Sequence, residues 1–127
     1  MKIKFIMFGL IIILLLFVVG CSNNADKTTG AVIANGEVKE FDVIAKNWEF
    51  QPSIITVNEG DTVILRVKSI DVEHSLAIPE FGVNQVLSPG KIAEVKFVAD
   101  QKGNFEMFCA VYCGTGHREM KGTLIVQ

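Results

Sequence analysis

Two segments of the chain, 62–68 and 92–98, alternate between apolar and polar residues as a strand with one buried face does. Shorter apolar segments lie between turn signals such as 58–61 and 88–90. The strands predicted in this way are 40–45, 53–57, 62–68, 74–78, 92–98, 104–108 and 123–126. No segment shows a long apolar period of 3.6 residues. The pattern therefore predicts an all-β fold, either a sandwich or a barrel.

The first 21 residues form a different kind of segment. Lys2 and Lys4 precede an apolar run over 5–19, and Cys21 follows the small residue Gly20. This pattern is typical of a bacterial lipoprotein signal, in which the cysteine is lipidated after cleavage. The run is shorter than the roughly 20 residues of a membrane-spanning helix, but an uncleaved single anchor is the alternative. In both cases we expect the rest of the chain on the outer face of the cytoplasmic membrane.

Residues 22–36 are mostly small and polar, which predicts a flexible linker and leaves 37–127 as one folded domain. The chain has 12 basic and 14 acidic side chains, and two of the basic ones, Lys2 and Lys4, belong to the signal. The part that follows the signal therefore has a net charge of −4. An acidic domain of this kind argues against nucleic acid as a partner. It favours a positively charged protein partner, such as a c-type cytochrome.

Four potential metal ligands lie close together between the last two predicted strands. Cys109, Cys113, His117 and Met120 have the spacing C-x3-C-x3-H-x2-M. Thiolate, imidazole and thioether groups are the ligands that soft metals prefer, and copper fits this set best. The chain has one other histidine, His74. If His74 lies beside the loop, the set becomes two cysteines, two histidines and one methionine.

The second cysteine distinguishes between two kinds of copper site. A mononuclear blue-copper centre uses one cysteine, two histidines and a weak axial methionine. Two thiolates can instead bridge two copper ions, with one histidine on each ion, Met120 on one and a backbone carbonyl on the other. Such a centre suits one-electron transfer. It also lacks the open position that catalytic metal sites keep, so we expect no catalysis from the isolated chain.

Three other interpretations of the cysteines remain open. The first is a disulfide between Cys109 and Cys113, but it leaves His74, His117 and Met120 unexplained. Zinc accepts cysteine and histidine, but a thioether is a poor zinc ligand. A redox-active dithiol usually has two residues between its cysteines, and this chain has three.

The C-x3-C-G-x-G-H-x2-M-x-G pattern that begins at Cys109 resembles the CuA loop of the cytochrome c oxidase subunit II family. Residues 69–83, which include His74, resemble the segment that carries the first histidine ligand of that family. Residues 50–61 resemble the opening strands of cupredoxin domains. The resemblance covers roughly 41–127 and implies a cupredoxin-like Greek-key β-sandwich or barrel with two bound copper ions.

The resemblance also implies a role for each residue. Cys109 and Cys113 bridge the two copper ions, His74 and Met120 complete one ion, and His117 and the main-chain carbonyl of Val111 complete the other. Many members carry a glutamate at the position of Val111, and its side chain reaches a neighbouring magnesium ion. Val111 keeps the carbonyl, but its side chain cannot reach a magnesium ion. In this respect the chain is similar to compact oxidases whose subunit II has one membrane anchor. The tryptophan-rich patch of larger relatives is not recognisable, since Trp48 is the single tryptophan and is far from the loop in sequence.

The function that the resemblance implies is electron transfer by a membrane-tethered protein. It would accept electrons from a c-type cytochrome and pass them to subunit I of a heme–copper oxidase or to a related membrane reductase. One alternative is the CuA electron-entry subunit of a nitrogen-oxide reductase. The other is a copper-delivery lipoprotein, although only Met107 and Met120 lie beyond the signal, which is few for a delivery protein.

Overall fold

The computed structural model describes residues 36–127, and within this range the chain forms nine strands and two short 3₁₀-helices. The strands are β1 (Val38–Lys46), β2 (Glu49–Gln51), β3 (Ile54–Val57), β4 (Thr62–Ser69), β5 (His74–Ile78), β6 (Val83–Leu87), β7 (Ile92–Val98), β8 (Gly103–Phe108) and β9 (Lys121–Val126). The 3₁₀-helices are Pro79–Phe81, between β5 and β6, and His117–Glu119, between β8 and β9.

These strands form two mixed sheets. One sheet has the order β2-β1-β4-β7, and the other has the order β3-β9-β8-β5-β6. Two pairs, β1 with β4 and β3 with β9, are parallel, and the other pairs are antiparallel. The arrangement confirms the predicted all-β sandwich, with two sheets around one apolar core.

Strand β4 shows how the alternating pattern produces the core. Val63, Leu65 and Val67 are fully buried, and the residues between them are partly exposed. Leu76 and Leu124 from the other sheet belong to the same apolar cluster. Full burial of a valine or leucine side chain stabilises a fold by about 1.5–3 kcal/mol. The core between the sheets therefore provides a rigid support for the loops at its ends.

A buried carboxylate closes the turn before β4. Asp61 is 2 % exposed and accepts hydrogen bonds from the backbone N–H groups of Asn58 at 2.8 Å and Glu37 at 2.9 Å. The N–H of Asn58 has the largest effect and, against the opposing effect of burial, keeps the pKa of Asp61 below its ordinary value. Since Glu37 directly precedes β1, one carboxylate joins the start of β1 to the turn.

The sequence did not predict two of the strands, β2 and β6. Strand β2 has three residues, of which Phe50 alone is buried. Strand β6 buries its two end residues, Val83 and Leu87, and its middle is exposed or half-buried. Neither strand has enough alternation to show the period of two that identifies a half-buried strand.

Three predictions fall outside the described residues. They are the signal over 1–21, the lipidation of Cys21 and the linker over 22–36, apart from its last residue, Gly36. Within residues 36–127, no helix has the length and apolar character that crossing a membrane requires.

Candidate metal centre

The predicted ligands come from two segments that the second sheet brings together. His74 is the first residue of β5, and Cys109 directly follows β8. Strands β5 and β8 pair through Ala77 and Phe108, so the start of β5 lies beside the end of β8. The ligand loop, 109–120, then connects β8 to β9, and it includes the short helix His117–Glu119.

His74 is fully buried, and its two ring nitrogens have different surroundings. Nε2 lies 2.7 Å from Oδ1 of Asp71, whereas Nδ1 has no hydrogen-bond partner among the described residues. A neutral imidazole that donates its Nε2–H to Asp71 leaves the lone pair of Nδ1 free. A buried polar atom without a partner is rare because it has lost its bonds to water. The unpartnered Nδ1 therefore indicates that His74 is a metal ligand and not a histidine that only packs in the core.

Asp71 holds the His74 ring in this orientation. Its carboxylate also accepts the backbone N–H groups of Asn47 at 2.6 Å and Val72 at 2.7 Å. Partial burial opposes its charge, but these two N–H groups and the His74 ring keep the pKa of Asp71 below its ordinary value. Asp71 is therefore an ionised acceptor at neutral pH. A carboxylate that orients the far nitrogen of a ligating histidine is common at metal sites.

The two cysteines lie side by side as free thiols. Their Sγ atoms are 3.7 Å apart, compared with about 2.05 Å in a disulfide bond. One ring nitrogen of His74 and the two sulfurs all lie within 4.8 Å of one another. Burial first, and then the neighbouring Cys109, raises the pKa of Cys113 to about 11. Without a cation beside it the Cys113 thiol thus stays protonated, and a bound metal has to displace that proton.

The other three predicted ligands lie around this sulfur pair. Nδ1 of His117 is 3.7 Å from Sγ of Cys113, and Sδ of Met120 is 3.8 Å from the same sulfur. The carbonyl oxygen of Val111 is 3.1 Å from Sγ of Cys109. Met120 is fully buried, so its sulfur is shielded from water. The structure thus brings all six predicted ligating residues into one region.

The donors of this region fit copper. Two sulfurs, two imidazoles, a thioether and a carbonyl match the ligands that copper takes at electron-transfer sites. Zinc explains the cysteines and histidines but not a buried thioether beside them. The 3.7 Å separation of the two sulfurs also shows that they are not joined in a disulfide.

Ser75 connects the strand that carries His74 to the ligand loop. Its hydroxyl oxygen accepts the N–H of Ala110 at 2.7 Å and that of Val111 at 3.3 Å, and its own N–H donates to Sγ of Cys109 at 3.4 Å. This role of Ser75 is not evident from the sequence. A serine directly after a candidate histidine ligand was the available signal, but nothing local indicates that its hydroxyl faces the loop.

Trp48 is also part of the site, although it is 65 positions from Cys113. Its indole N–H donates to the carbonyl of Cys113 at 3.3 Å. A Cβ atom added to Gly114 or Gly116 would fall within 3.0 Å of the indole, so the ring lies directly against the loop. Trp48 is far from the loop along the sequence, but the fold brings its indole into contact with the loop.

Comparison with known proteins places these observations in a family. The family described as Cupredoxin-like domain matches residues 10–126. Cytochrome c oxidase subunit 2 of Thermus thermophilus is 31 % identical over 85 residues, which are 67 % of this chain and 63 % of that protein. Nitrous-oxide reductase of Cupriavidus necator is 30 % identical over 106 residues, which are 80 % of this chain and 16 % of that protein. The chain thus spans less than two thirds of either relative.

A solved structure gives the same fold. The periplasmic domain of subunit II of cytochrome oxidase from Bradyrhizobium japonicum superposes with a TM-score of 0.64 and 24 % identity. The superposition covers 69 % of this chain and 83 % of that domain. Together with the matches in sequence, it confirms the resemblance that the C-x3-C-G-x-G-H-x2-M-x-G pattern predicted.

Proposed function

The chain belongs to the family of cupredoxin-like domains, and on this premise we propose that it transfers electrons through a two-copper centre of the CuA type. The observation that carries the proposal is the group formed by His74, Cys109 and Cys113. Two free thiols lie 3.7 Å apart there, beside a buried Nδ1 that has no hydrogen-bond partner within residues 36–127. A disulfide or a redox-active dithiol does not account for the unpartnered Nδ1, and zinc does not account for the buried thioether of Met120 beside the thiols.

The two-ion assignment rests on how the remaining donors are distributed. Met120 and His117 both lie near Cys113, and the carbonyl of Val111 lies near Cys109. Five side-chain donors and one carbonyl exceed what one mononuclear blue-copper ion uses. We therefore assign Cys109 and Cys113 as bridging ligands. As the resemblance to the CuA loop implies, His74 and Met120 would complete one ion, and His117 and the Val111 carbonyl would complete the other.

When bound, such a centre supplies reversible one-electron transfer. The surrounding chain has three tasks. Asp71 fixes the ring of His74, and Ser75 fixes the first turn of the loop through the N–H of Ala110. Full burial of Met120 and His74 excludes water from the inner side of the site. A rigid, dry site of this kind limits rearrangement between oxidation states, as electron transfer requires.

The relatives and the N-terminal pattern support a proposal for the partners and the location. Cytochrome c oxidase subunit 2 and nitrous-oxide reductase are relatives of this chain over 85 and 106 residues. We infer that the domain accepts electrons from a c-type cytochrome and passes them to a heme–copper oxidase or to a nitrogen-oxide reductase. The lipoprotein pattern that ends at Cys21 supports a lipid-held or anchored position on the outer face of the membrane.

Electron paramagnetic resonance with copper quantification tests this function. The full chain, solubilised in detergent and loaded with copper after mild thiol reduction, should bind two copper ions. Its hyperfine pattern should come from one unpaired electron shared by two nuclei. Cys113→Ser should abolish that pattern, because one thiolate cannot form the same double bridge. A four-line spectrum with one copper per chain would point to a mononuclear centre and would contradict the proposal.

A further inference from the structure

The two-residue turn between β1 and β2 touches both segments that carry the proposed ligands. Asn47 donates its backbone N–H to Oδ2 of Asp71 at 2.6 Å, and Oδ1 of Asp71 lies 2.7 Å from Nε2 of His74. Trp48, the next residue, donates its indole N–H to the carbonyl of Cys113 at 3.3 Å. One turn is thus linked to His74 through Asp71 and to the thiol loop directly.

The contact of Trp48 with the loop depends on two glycines. A Cβ at Gly116 would lie 2.4 Å from Cδ2 of the indole, and a Cβ at Gly114 would lie 2.9 Å from its Nε1. Real Cβ atoms do not approach other atoms this closely, so only glycine lets the ring lie flat on the backbone here. Trp48 is 37 % exposed, so one part of the ring covers the loop while another part faces solvent.

The turn itself has an unusual backbone. Asn47 has φ of 33° and Trp48 has φ of 69°, both in the left-handed region. Asparagine tolerates this region, but a residue as large as tryptophan rarely adopts it. Two-residue hairpin turns of this type favour asparagine followed by glycine. A bulky residue persists in such a conformation when its surroundings hold it there, and such residues cluster at functional sites.

We propose that the Asn47–Trp48 turn is a clamp that positions the two ligand-bearing segments relative to each other, with Trp48 as a positioning residue for Cys113. The inference deepens the proposed function, because the segments matter through the copper centre that they would form. The hydrogen bond to the Cys113 carbonyl fixes the peptide that follows the second thiol. The indole limits how far the loop can lift away from β5.

Hydrogen exchange of the metal-free chain gives a test that does not depend on copper. The backbone N–H groups of His117, Glu119 and Met120 all donate within the loop, so their exchange reports its opening. Trp48→Ala should speed their exchange by about 2- to 10-fold, since the loop loses one hydrogen bond and the ring that covers it, and a hydrogen bond has a net effect of about this size. The exchange rates in Trp48→Phe should lie between those of the wild type and Trp48→Ala, because phenylalanine keeps a ring against the glycines but has no N–H donor.

A pair of substitutions shows whether Trp48 acts through the loop. Gly116→Ala should speed the exchange of the loop amides in the wild-type chain, because its Cβ meets the indole. In the Trp48→Ala chain the same substitution should have little further effect, since the ring is gone. Ile92→Ala, which truncates an exposed apolar side chain on β7, is the control and should leave the loop unchanged.

The copper-loaded chains complete the experiment. Trp48→Ala should release copper to a chelator about 10- to 100-fold faster than the wild-type chain and should change the hyperfine splitting. Unchanged exchange of the loop amides in Trp48→Ala would overturn the proposal, and so would faster exchange with wild-type copper release and spectrum. If the wild-type chain bound no copper, the proposed function would fail instead. The exchange data would still decide whether the turn holds the loop.

Discussion

Replacement of Ser75 by alanine tests whether one buried hydroxyl holds the ligand loop against β5. Ser75 is 1 % exposed, and its oxygen accepts the N–H groups of Ala110 at 2.7 Å and Val111 at 3.3 Å. The substitution removes that shared acceptor. It retains the backbone N–H that donates to Sγ of Cys109, so the thiol keeps this contact.

The distances set the expected size of the effect. A hydrogen bond contributes about 0.5–1.5 kcal/mol net, and a buried group that loses its partner costs about 1–3 kcal/mol. The bond from Ala110 is short and the bond from Val111 is long, so we expect the free energy of unfolding to fall by about 2 kcal/mol in total. In a domain of this size, that loss corresponds to a decrease in Tm of about 8–16 °C.

Urea and thermal unfolding of the metal-free chain, followed by circular dichroism, measure this change. Ser53→Ala, which truncates an exposed serine outside the site, is the matched control and should change the free energy of unfolding by less than about 0.5 kcal/mol. A Ser75→Ala chain as stable as the control would refute the reasoning, because the hydroxyl would then have no role in holding the loop. The variant should also lose copper faster than the control.

Three further predictions follow from the site and the fold. Met120→Leu should retain copper and the fold, because the substitution conserves volume, but it should shift the reduction potential measured by voltammetry. Complete loss of copper would show that the thioether does more than tune the potential of the centre. Val111→Ala should leave copper stoichiometry unchanged, because only its carbonyl is used, and loss of copper would exclude that role. Asp61→Asn should destabilise the chain at pH 7. Since the folded pKa of Asp61 is lowered, its contribution is present above about pH 4 and is lost as the pH falls through the folded value. The difference in unfolding midpoint between the wild type and the variant should therefore be largest at pH 7 and should shrink as the pH is lowered below about 4.

The sequence predicted the parts of this molecule that have a local pattern. Strand β4 alternates over its full length, so its position and its buried face could be read directly. The spacing of Cys109, Cys113, His117 and Met120 is just as local, because these residues lie in one loop between two strands. The strand that carries His74 could be recognised by its apolar residues and by the proline that ends it.

The sequence did not predict the contacts that hold the ligands in position. Trp48 and Cys113 are 65 positions apart, and Ser75 and Ala110 are 35 apart. Such contacts depend on which strands pair and on which direction a side chain takes at a strand end, and neither has a local period. Asp71 is closer to its partner, three positions before His74, but an acidic residue at that spacing is ordinary on a protein surface.

The metal-free site has costs that a bound ion would remove. Nδ1 of His74 is buried without a partner in the part of the chain that the structure describes, and a polar atom left in this state costs about 1–3 kcal/mol. Burial also holds the thiol of Cys113 in its protonated form. The core nevertheless keeps one ring nitrogen of His74 and the two Sγ atoms of Cys109 and Cys113 within 4.8 Å of one another. The folded chain is therefore stable enough to hold this unfavourable arrangement before any metal binds. A site assembled in advance needs little rearrangement on binding, and any ion that binds only the folded chain stabilises it, by about 2.7 kcal/mol at 100 times its Kd. We therefore expect copper to raise Tm of the wild-type chain. We expect a much smaller increase for Cys113→Ser, in which the second thiolate is missing.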